Sequence, residues 1–308
     1  MVEHLKSKNI ADLLFCLFKS GSATKAELVR ETSLGNTTVS DIINDLSRLA
    51  LVKEVGKQSS EGGRRSSIYG INKDYGNFVG ISLHEDRFEF ALSDCHNCIV
   101  ETWTVIHDRS QPAITTIMNK LKSILLSYKN VLGVGVGLHG EIEYKSQVVI
   151  SCEALRWKYV HLTEIIEREF QTFTYIDHSI NAAALKERIF GNAKHYSDFI
   201  YYSSQIPDKL AIMLAGKVCR GKNNMAGLVN GSIKDKINTI SSLIQTMDVE
   251  KVFVTGKEMK SQIKHGFSDV ELVESKDYDL PHAMALAAEV MWFYRALWRK
   301  GVLVEQVF

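Results

Sequence analysis

The sequence contains little proline, little cysteine and almost no net charge. Its 308 residues include three prolines and five cysteines, and 37 lysines and arginines stand against 36 aspartates and glutamates, giving a formal net charge of +1. So few prolines argue against long unstructured linkers, and five cysteines in a chain of this length do not form the disulfide framework of a small secreted domain. The balanced charge excludes a polycation that binds nucleic acid over its whole surface.

Long hydrophobic runs are also missing. The first apolar stretch, residues 13–18, is too short to cross a bilayer, and the polar residues before it do not have the pattern of a secretory signal. Hydrophobic residues still make up 45% of the chain, enough for a large core, and the length suits about two domains. We therefore expect a cytoplasmic protein without a membrane segment.

Residues 22–71 contain an ordered set of helix and turn signals. Thr24 and Glu27 have the Thr-x-x-Glu spacing of a capping box, which starts a helix, and Gly35 supplies a tight turn. A second helix then carries a single apolar stripe, made of Val39, Ile42, Ile43, Leu46 and Leu49. With an amphipathic helix over residues 10–18, this order predicts a helix-turn-helix.

The face opposite that stripe is small and polar. It is made of Asn36, Thr37, Thr38, Ser40 and Asn44. Short hydrogen-bonding side chains let a helix come close to the base edges of a major groove. We predict that these five residues contact double-stranded DNA.

Two predicted strands, 51–55 and 67–71, enclose a loop that is rich in glycine and basic residues. Lys57, Arg64 and Arg65 make this loop cationic. A cationic hairpin tip suits contacts with phosphates, or an arginine lying in a narrow minor groove. The hairpin therefore predicts the wing of a winged helix-turn-helix, and an ordinary surface hairpin is the alternative.

From about residue 76 the pattern changes to strands alternating with helices, which predicts an α/β domain. The predicted strands are 78–83, 87–93, 99–106, 131–138, 148–150, 173–176, 199–203, 210–215 and 251–255, and the predicted helices are 112–128, 163–170, 182–190, 232–247 and 282–299. The last helix is apolar almost all round, so we expect it to be packed on both sides. We place the domains at 1–75 and 76–308.

Several short motifs occur together over nearly the whole chain. They are Ser22–Leu28, Thr38-Val39-Ser40, Gly62-Gly63-Arg64, Gly133–Gly137, Trp157–Leu162, Asn181–Glu187 and Asp248-Val249-Glu250. The combination resembles the ROK family, which groups sugar-responsive transcriptional repressors with sugar kinases. The resemblance implies an N-terminal winged helix-turn-helix followed by a two-lobed, actin-like ATPase domain. In repressor members the cleft between the lobes binds a sugar or sugar phosphate, and this changes how a dimer presents its DNA-binding heads.

The kinase residues that the resemblance implies are missing. The family's general base is an Asp two residues before the matched Asn181, and Ser179 stands at that position. A neutral serine cannot take the proton of a sugar hydroxyl as a carboxylate does. The glycine-rich phosphate segment is also absent between residues 201 and 215. We predict no enzymatic activity and no cofactor, with a degenerate sugar kinase as an alternative.

The zinc loop of the family is also missing. Leu228 and Gly231 replace its Glu and His, its cysteine cluster is absent, and the chain is shortened near residue 231. Cys95 and Cys98 form a Cys-x-x-Cys pair, but a structural zinc site needs two more ligands and this stretch fits a hairpin turn. We therefore predict no metal.

The residues around the implied effector site have changed as well. The candidates for a different polar pocket are His139, Glu141, Asp177, His178 and Asn181. The alternative is that they are loop and cap residues around a relict cleft. The sequence thus predicts a sequence-specific DNA-binding regulator, a repressor of carbohydrate-related genes. Its expected partners are an operator, a second copy or a tetramer, and a sugar-like effector; a ligand-free scaffold for partner proteins is the other alternative.

Overall fold

The computed structural model describes residues 2–58, 65–204, 206, 208–222, 224–229, 231–249, 251–255, 271–275 and 278–298. It has the mixed α/β architecture expected from the sequence. The helices are α1 Val2–Ser20, α2 Lys25–Thr32, α3 Asn36–Arg48, α4 Ala113–Ser127, α5 Leu162–Phe170, α6 Ser179–Phe190, α7 Ile233–Met247 and α8 Leu280–Trp298. The strands are β1 Ala23–Thr24, β2 Val52–Lys57, β3 Ser67–Ile71, β4 Asn77–Leu83, β5 Arg87–Asp94, β6 Ile99–Ile106, β7 Val131–Gly137, β8 Glu141–Glu143, β9 Val148–Cys152, β10 Trp157–Val160, β11 Phe173–Asp177, β12 Phe199–Tyr202, β13 Leu210–Leu214, β14 Lys217–Val218, β15 Lys251–Val254 and β16 Glu271–Glu274.

Helices α1 to α3 and the antiparallel sheet β1-β3-β2 form the N-terminal part of the chain, here called the head. The predicted capping box is confirmed: the Glu27 amide donates to Thr24 Oγ1 at 3.2 Å, and the Thr24 amide donates to Glu27 Oε2 at 2.7 Å. Helix α3 buries its apolar stripe, made of Val39, Ile42, Ile43 and Leu46. The assignment of Leu49 to that stripe is wrong. The helix ends at Arg48, so Leu49 caps it and stays 47% exposed.

Two five-stranded sheets are the largest sheets in the rest of the described chain. The first has the order β11-β7-β4-β5-β6 and the second β14-β13-β12-β15-β16. Strand β7 runs parallel to β4 and β11, and β12 runs parallel to β15. A small antiparallel sheet, β10-β9-β8, lies beside the first. Parallel strands place the loops after their carboxyl ends at one edge of the sheet, where ligands bind in α/β folds.

Helix α8 packs against the middle of the first sheet. A Cβ at Gly80 of β4 would overlap the carbonyl oxygen of Pro281, and one at Gly135 of β7 would overlap that of Met284. Only glycine lets the helix backbone come this close to the strands. The side chains of α8 from Ala283 to Ala288 are buried, as expected for a helix packed on both sides.

The head shares its core with the α/β part. The ring of Phe18 on α1 lies 5.5 Å from that of Phe190 on α6 and 6.5 Å from that of Phe293 on α8. In the β5–β6 turn, His96 Nε2 donates to the carbonyl oxygen of Ile71 at 2.6 Å. These contacts fix the head against the sheets. Within the described ranges, no helix is long and apolar enough to cross a membrane.

Candidate functional site

Helix α3 presents a polar side to solvent. Asn36, Thr37 and Asn44 are exposed, and Thr38 and Ser40 are half-buried. All five residues predicted to contact DNA therefore lie on α3 with their side chains at least partly accessible. The residue before the helix is Gly35, which provides no side-chain cap. The first amide groups of α3 are thus left for water or for a ligand phosphate, which the helix dipole also favours.

The basic hairpin residues flank the loop between β2 and β3. Lys57 ends β2 and is exposed, and Arg65 is exposed on the other side. The Gln58 amide donates to the Ser66 carbonyl oxygen at 2.8 Å, which closes the base of the loop. Arg64, the third predicted wing residue, lies outside the described residues. The structure thus brings Lys57 and Arg65 to the same end of the hairpin.

A cavity of about 160 Å³ lies between the two large sheets. This cavity, here called the cleft, is bordered by the loops after β4, β7 and β11. Its polar lining includes Ser82, His84, His139, His178, Ser179 and Lys209. Lys209 comes from the second sheet and the other five come from the first part of the α/β region, so the cleft is assembled by both sheets.

Asp177, at the end of β11, is the centre of a buried network beside the cleft. Arg220 binds one of its oxygens through Nη2 at 2.7 Å and Nε at 3.2 Å. Asn181 Nδ2 donates to the other oxygen at 2.7 Å, and the Tyr175 hydroxyl donates to the Arg220-bound oxygen at 2.6 Å. Burial by itself raises the pKa of Asp177, but the Arg220 charge and these hydrogen bonds outweigh it and hold that pKa well below its usual range.

Two tyrosines hold the Arg220 guanidinium in place. Its centre lies 4.1 Å from the ring centroid of Tyr144, and Nη2 donates to the Tyr175 hydroxyl at 3.1 Å. The side chain of Arg220 is 10% exposed. A guanidinium stacked on an aromatic ring and bound to a carboxylate through two nitrogens has a fixed geometry.

His178 and Lys209 meet at one backbone carbonyl. His178 Nε2 donates to the carbonyl oxygen of Asn224 at 2.9 Å, and Lys209 Nζ donates to the same oxygen at 2.8 Å. Burial lowers the pKa of His178 to about 4 and that of Lys209 to about 8. At neutral pH His178 is therefore neutral with its proton on Nε2, whereas most of Lys209 is charged. In the described part of the chain, Nδ1 of His178 has no hydrogen-bond partner.

The structure gathers some of the predicted effector residues and separates others. Asp177, His178 and Asn181 belong to one buried cluster. His139 is exposed at the cleft, with its ring centroid 6.4 Å from that of His178. Glu141 lies on β8, half-buried, and pairs with Ser151 rather than joining the Asp177 network.

Three residues of this cluster escaped the sequence analysis. They are Lys209, Arg220 and Asn224. Arg220 is 43 residues from Asp177 along the chain, and no spacing rule connects residues so far apart. A single basic residue after a strand gives no signal that it will pair with a buried carboxylate.

The cysteine pair forms a turn. Cys95 is buried and donates to the Gly76 carbonyl oxygen at 3.3 Å, whereas Cys98 is exposed. Both thiols are free. Within the residues that the structure covers, no group of three or more histidines, cysteines, aspartates or glutamates has a metal-binding arrangement.

The family match and the most similar relatives agree with each other. Residues 78–230 match the ROK family. The xylose repressor of Caldicellulosiruptor bescii is 30% identical over 237 residues, which cover 73% of this chain and 58% of that protein. The DNA-binding transcriptional dual regulator NagC of Escherichia coli is 23% identical over 233 residues, covering 73% of this chain and 57% of NagC. The chain thus spans less than two thirds of the length of these relatives.

Solved structures support the same fold. A ROK family transcriptional regulator, a homologue of the E. coli MLC protein, has a TM-score of 0.75 at 16% identity, covering 96% of this chain and 98% of that one. The ROK family glucokinase of Streptomyces griseus, solved with glucose and AMPPNP, has a TM-score of 0.56 at 13% identity, covering 69% of this chain and 99% of that one. The α/β fold is therefore shared with regulators and kinases alike. With residues 78–230 forming its characteristic domain, the chain belongs to the ROK family.

Proposed function

We propose that this protein is a sequence-specific DNA-binding transcriptional regulator, a repressor of carbohydrate-related genes with a sugar-like effector. The observation that carries the proposal is the exposed polar face of α3, which begins at an uncapped helix end within a head fixed to a ROK domain. Relatives over most of this chain are named xylose repressor and transcriptional regulator NagC. Their names support the same role for this chain.

The head, residues 1–75, is proposed to act as a winged helix-turn-helix. In this assignment α2 and α3 are the helix pair, α3 enters the major groove, and β2 and β3 form the wing. The proposed contacts with bases or phosphates are Asn36, Thr37, Thr38, Ser40, Asn44, Lys57, Arg64 and Arg65. The exposure of the α3 residues, of Lys57 and of Arg65 supports this assignment.

Residues 76–308 are proposed to regulate and dimerise rather than catalyse. The carboxylate closest in sequence to the lost general base is Asp177, which is already bound by Arg220 through two nitrogens. A general base needs a pKa near the working pH, and Asp177 is held far below it. This supports a regulator over a degenerate kinase.

The proposal includes a dimer or tetramer. The head has a modest basic charge, so one copy would bind DNA weakly at physiological salt. Two linked heads on two half-sites gain affinity because the second binding event is intramolecular. A regulator of this kind works where the chromosome is, so the cytoplasm remains our predicted location.

The test is binding of the full chain to the DNA upstream of its own gene, with competitor DNA and a salt series. We expect sequence-selective binding whose affinity falls steeply with salt, because phosphate contacts release counterions. The double variant Asn36→Ala/Thr37→Ala should lose selectivity, whereas Asn119→Ala, exposed on α4, should bind as the wild type does. Absence of selective binding at every salt concentration would contradict the regulator and favour a scaffold that binds partner proteins.

A further inference from the structure

The first sheet ends on one side in a strand that is open to solvent. Among the described residues, β6 has a neighbouring strand only on its β5 side. Six of its eight residues are exposed, whereas β11 at the opposite edge is buried from Thr174 to Asp177. Ile106 is 76% exposed, and Ile99 and Val100 are each 48% exposed. An open edge strand presents backbone hydrogen-bonding groups, and together with apolar side chains they favour pairing with another strand.

Strand β6 has few of the features that keep edge strands from pairing. Proline and lysine are absent from Ile99–Ile106, and Glu101 is its single charged residue. A bulge interrupts the pairing with β5 only at the start of β6, so the stretch from Glu101 to Ile106 stays in regular register. Natural proteins usually place charges, proline or bulges on an edge that must remain alone. The regular part of β6 is therefore suited to a strand partner.

A second copy of β6 matches this edge. Two identical strands that pair antiparallel about a twofold axis place one residue opposite itself, so that paired side chains lie on the same face. Pairing centred on Trp103 sets the two Trp103 rings against each other and places Thr102 opposite the partner's Thr104, and such cross-strand pairs stabilise a sheet. It also brings Ile106 beside the partner's Val100. Centring the pair one residue earlier would leave Ile106 beyond the end of the partner strand.

The charges beside the strand are complementary in this register. Nζ of Lys120, on α4, lies 4.5 Å from the ring centroid of Trp103. The Tyr128 hydroxyl at the end of α4 donates to Glu101 Oε2, so Glu101 also points to the α4 side of the sheet. Glu101 is two residues from Trp103, which makes the partner's Glu101 a diagonal neighbour of Trp103. Each Lys120 therefore lies beside the Glu101 of the other copy.

We propose that β6 is the dimerisation surface of this protein. It pairs antiparallel with β6 of a second copy, and the two five-stranded sheets become one sheet of ten strands. The occupant is a second copy because the same strand supplies matching apolar residues, and because Lys120 and Glu101 each meet the opposite charge across the twofold axis. The inference rests on the proposed function for the existence of a dimer, and it names the surface that forms it.

The first experiment measures the dimer dissociation constant of the full chain by sedimentation equilibrium. We expect the wild type to form a dimer and Ile106→Lys to raise the constant about tenfold or more, because the new charge is buried against an apolar neighbour. Leu126→Lys is the matched control, since Leu126 is 79% exposed on α4, and its constant should equal that of the wild type. Both positions are exposed, so both variants should keep the wild-type unfolding temperature. A monomeric wild type, or an unchanged constant for Ile106→Lys, overturns the proposal.

Charge exchange tests the register. Glu101→Lys and Lys120→Glu should each weaken the dimer, because each places like charges side by side across the interface. A mixture of the two variants should form heterodimers in preference to either homodimer, since opposite charges then meet at both contacts. The control mixture of Leu126→Lys and Leu126→Glu should show no such preference. A mixture of Glu101→Lys and Lys120→Glu without preferred heterodimers contradicts the pairing centred on Trp103.

Operator binding by the same samples separates this inference from the regulatory role. Ile106→Lys should bind an operator more weakly than the wild type, because its second head is no longer held beside the first. A dimer that Ile106→Lys dissociates, in a protein whose wild type binds no operator selectively, supports the surface and refutes the regulator. Selective operator binding by a wild-type dimer that Ile106→Lys does not weaken supports the regulator and refutes the surface.

Discussion

The face of α3 and the cleft differ in how the sequence encodes them. The five polar residues of α3 lie within one short segment, Asn36 to Asn44, and are read from helical spacing. The cleft network joins Asp177 to Arg220 and Asn224, which are 43 and 47 residues away. A local surface can be read from a pattern, whereas a buried cluster exists only after two sheets have come together.

The two regions also differ in what their charges do. Lys57 and Arg65 are exposed, so water and salt screen their charges. Lys209 is buried and the side chain of Arg220 is only 10% exposed, so water and salt screen their charges far less. Losing a partner should therefore have a large effect in the cleft and a small one in the head.

The largest expected effect is the loss of Arg220. Arg220→Met leaves the carboxylate of Asp177 buried and without its cation, so we expect a loss of about 3–5 kcal/mol in the free energy of unfolding. Urea denaturation measures it. The double variant Asp177→Asn/Arg220→Met should recover much of the loss because no unpaired charge remains. If Arg220→Met is as stable as the wild type, the ion pair of Asp177 and Arg220 does not contribute to the free energy of unfolding.

The next effect concerns the wing. Arg64→Ala should weaken operator binding by about 1–3 kcal/mol if Arg64 reads bases or groove shape. Arg48→Ala, at the exposed end of α3, is a control for simple loss of positive charge in the head. Equal affinity of Arg64→Ala and wild type removes Arg64 from the mechanism.

A smaller effect is expected at the capping box. Thr24→Ala removes the acceptor for the Glu27 amide and should lower the free energy of unfolding by about 1 kcal/mol. Thr115→Ala, on the exposed face of α4, should change it by less than about 0.5 kcal/mol. A capping-box loss as large as that of Arg220→Met would contradict the difference drawn between the head and the cleft.

The most gradual effect, spread over the interval between two pKa values, is the titration of His178. Its folded-state pKa is lowered from 6.5 to about 4, so the unfolded chain binds more protons between these values. Stability should therefore fall as the pH drops from 6.5 towards 4, by less than about 1.4 kcal/mol per unit for one histidine. His178→Gln should flatten this slope, and Asn119→Ala, exposed on α4 away from the cleft, should not. An identical slope in both variants would exclude His178 as its source.

The sequence predicted the parts of the fold that have a local cause. The capping box at Thr24, the apolar stripe of α3 and the turn at Cys95 to Cys98 follow from spacing and residue type. The short strands β8, β10 and β16 were not predicted, because three or four residues carry too little periodicity. Their positions depend on the neighbouring strands with which they pair.

The candidate site was predicted only in part. Asp177, His178 and Asn181 were candidates because they stand at or beside the effector-site positions that the family resemblance implies. Lys209 and Arg220 were missed because they reach the site from the second sheet. The two cations at or beside this cleft, Lys209 and Arg220, are therefore residues that a local pattern could not find.

The aromatic contacts of Phe18 with Phe190 and Phe293 have a consequence for the DNA that the proposed dimer can accept. A head on a flexible tether tolerates half-sites at many separations, because the tether absorbs the difference. A head fixed to the body of each copy cannot do so. One base pair inserted between half-sites moves one of them by about 3.4 Å along the helix axis and turns it by roughly 35° around it. Two such copies would therefore bind only half-sites with one separation and one rotational phase, and would select an operator by this geometry as well as by its bases.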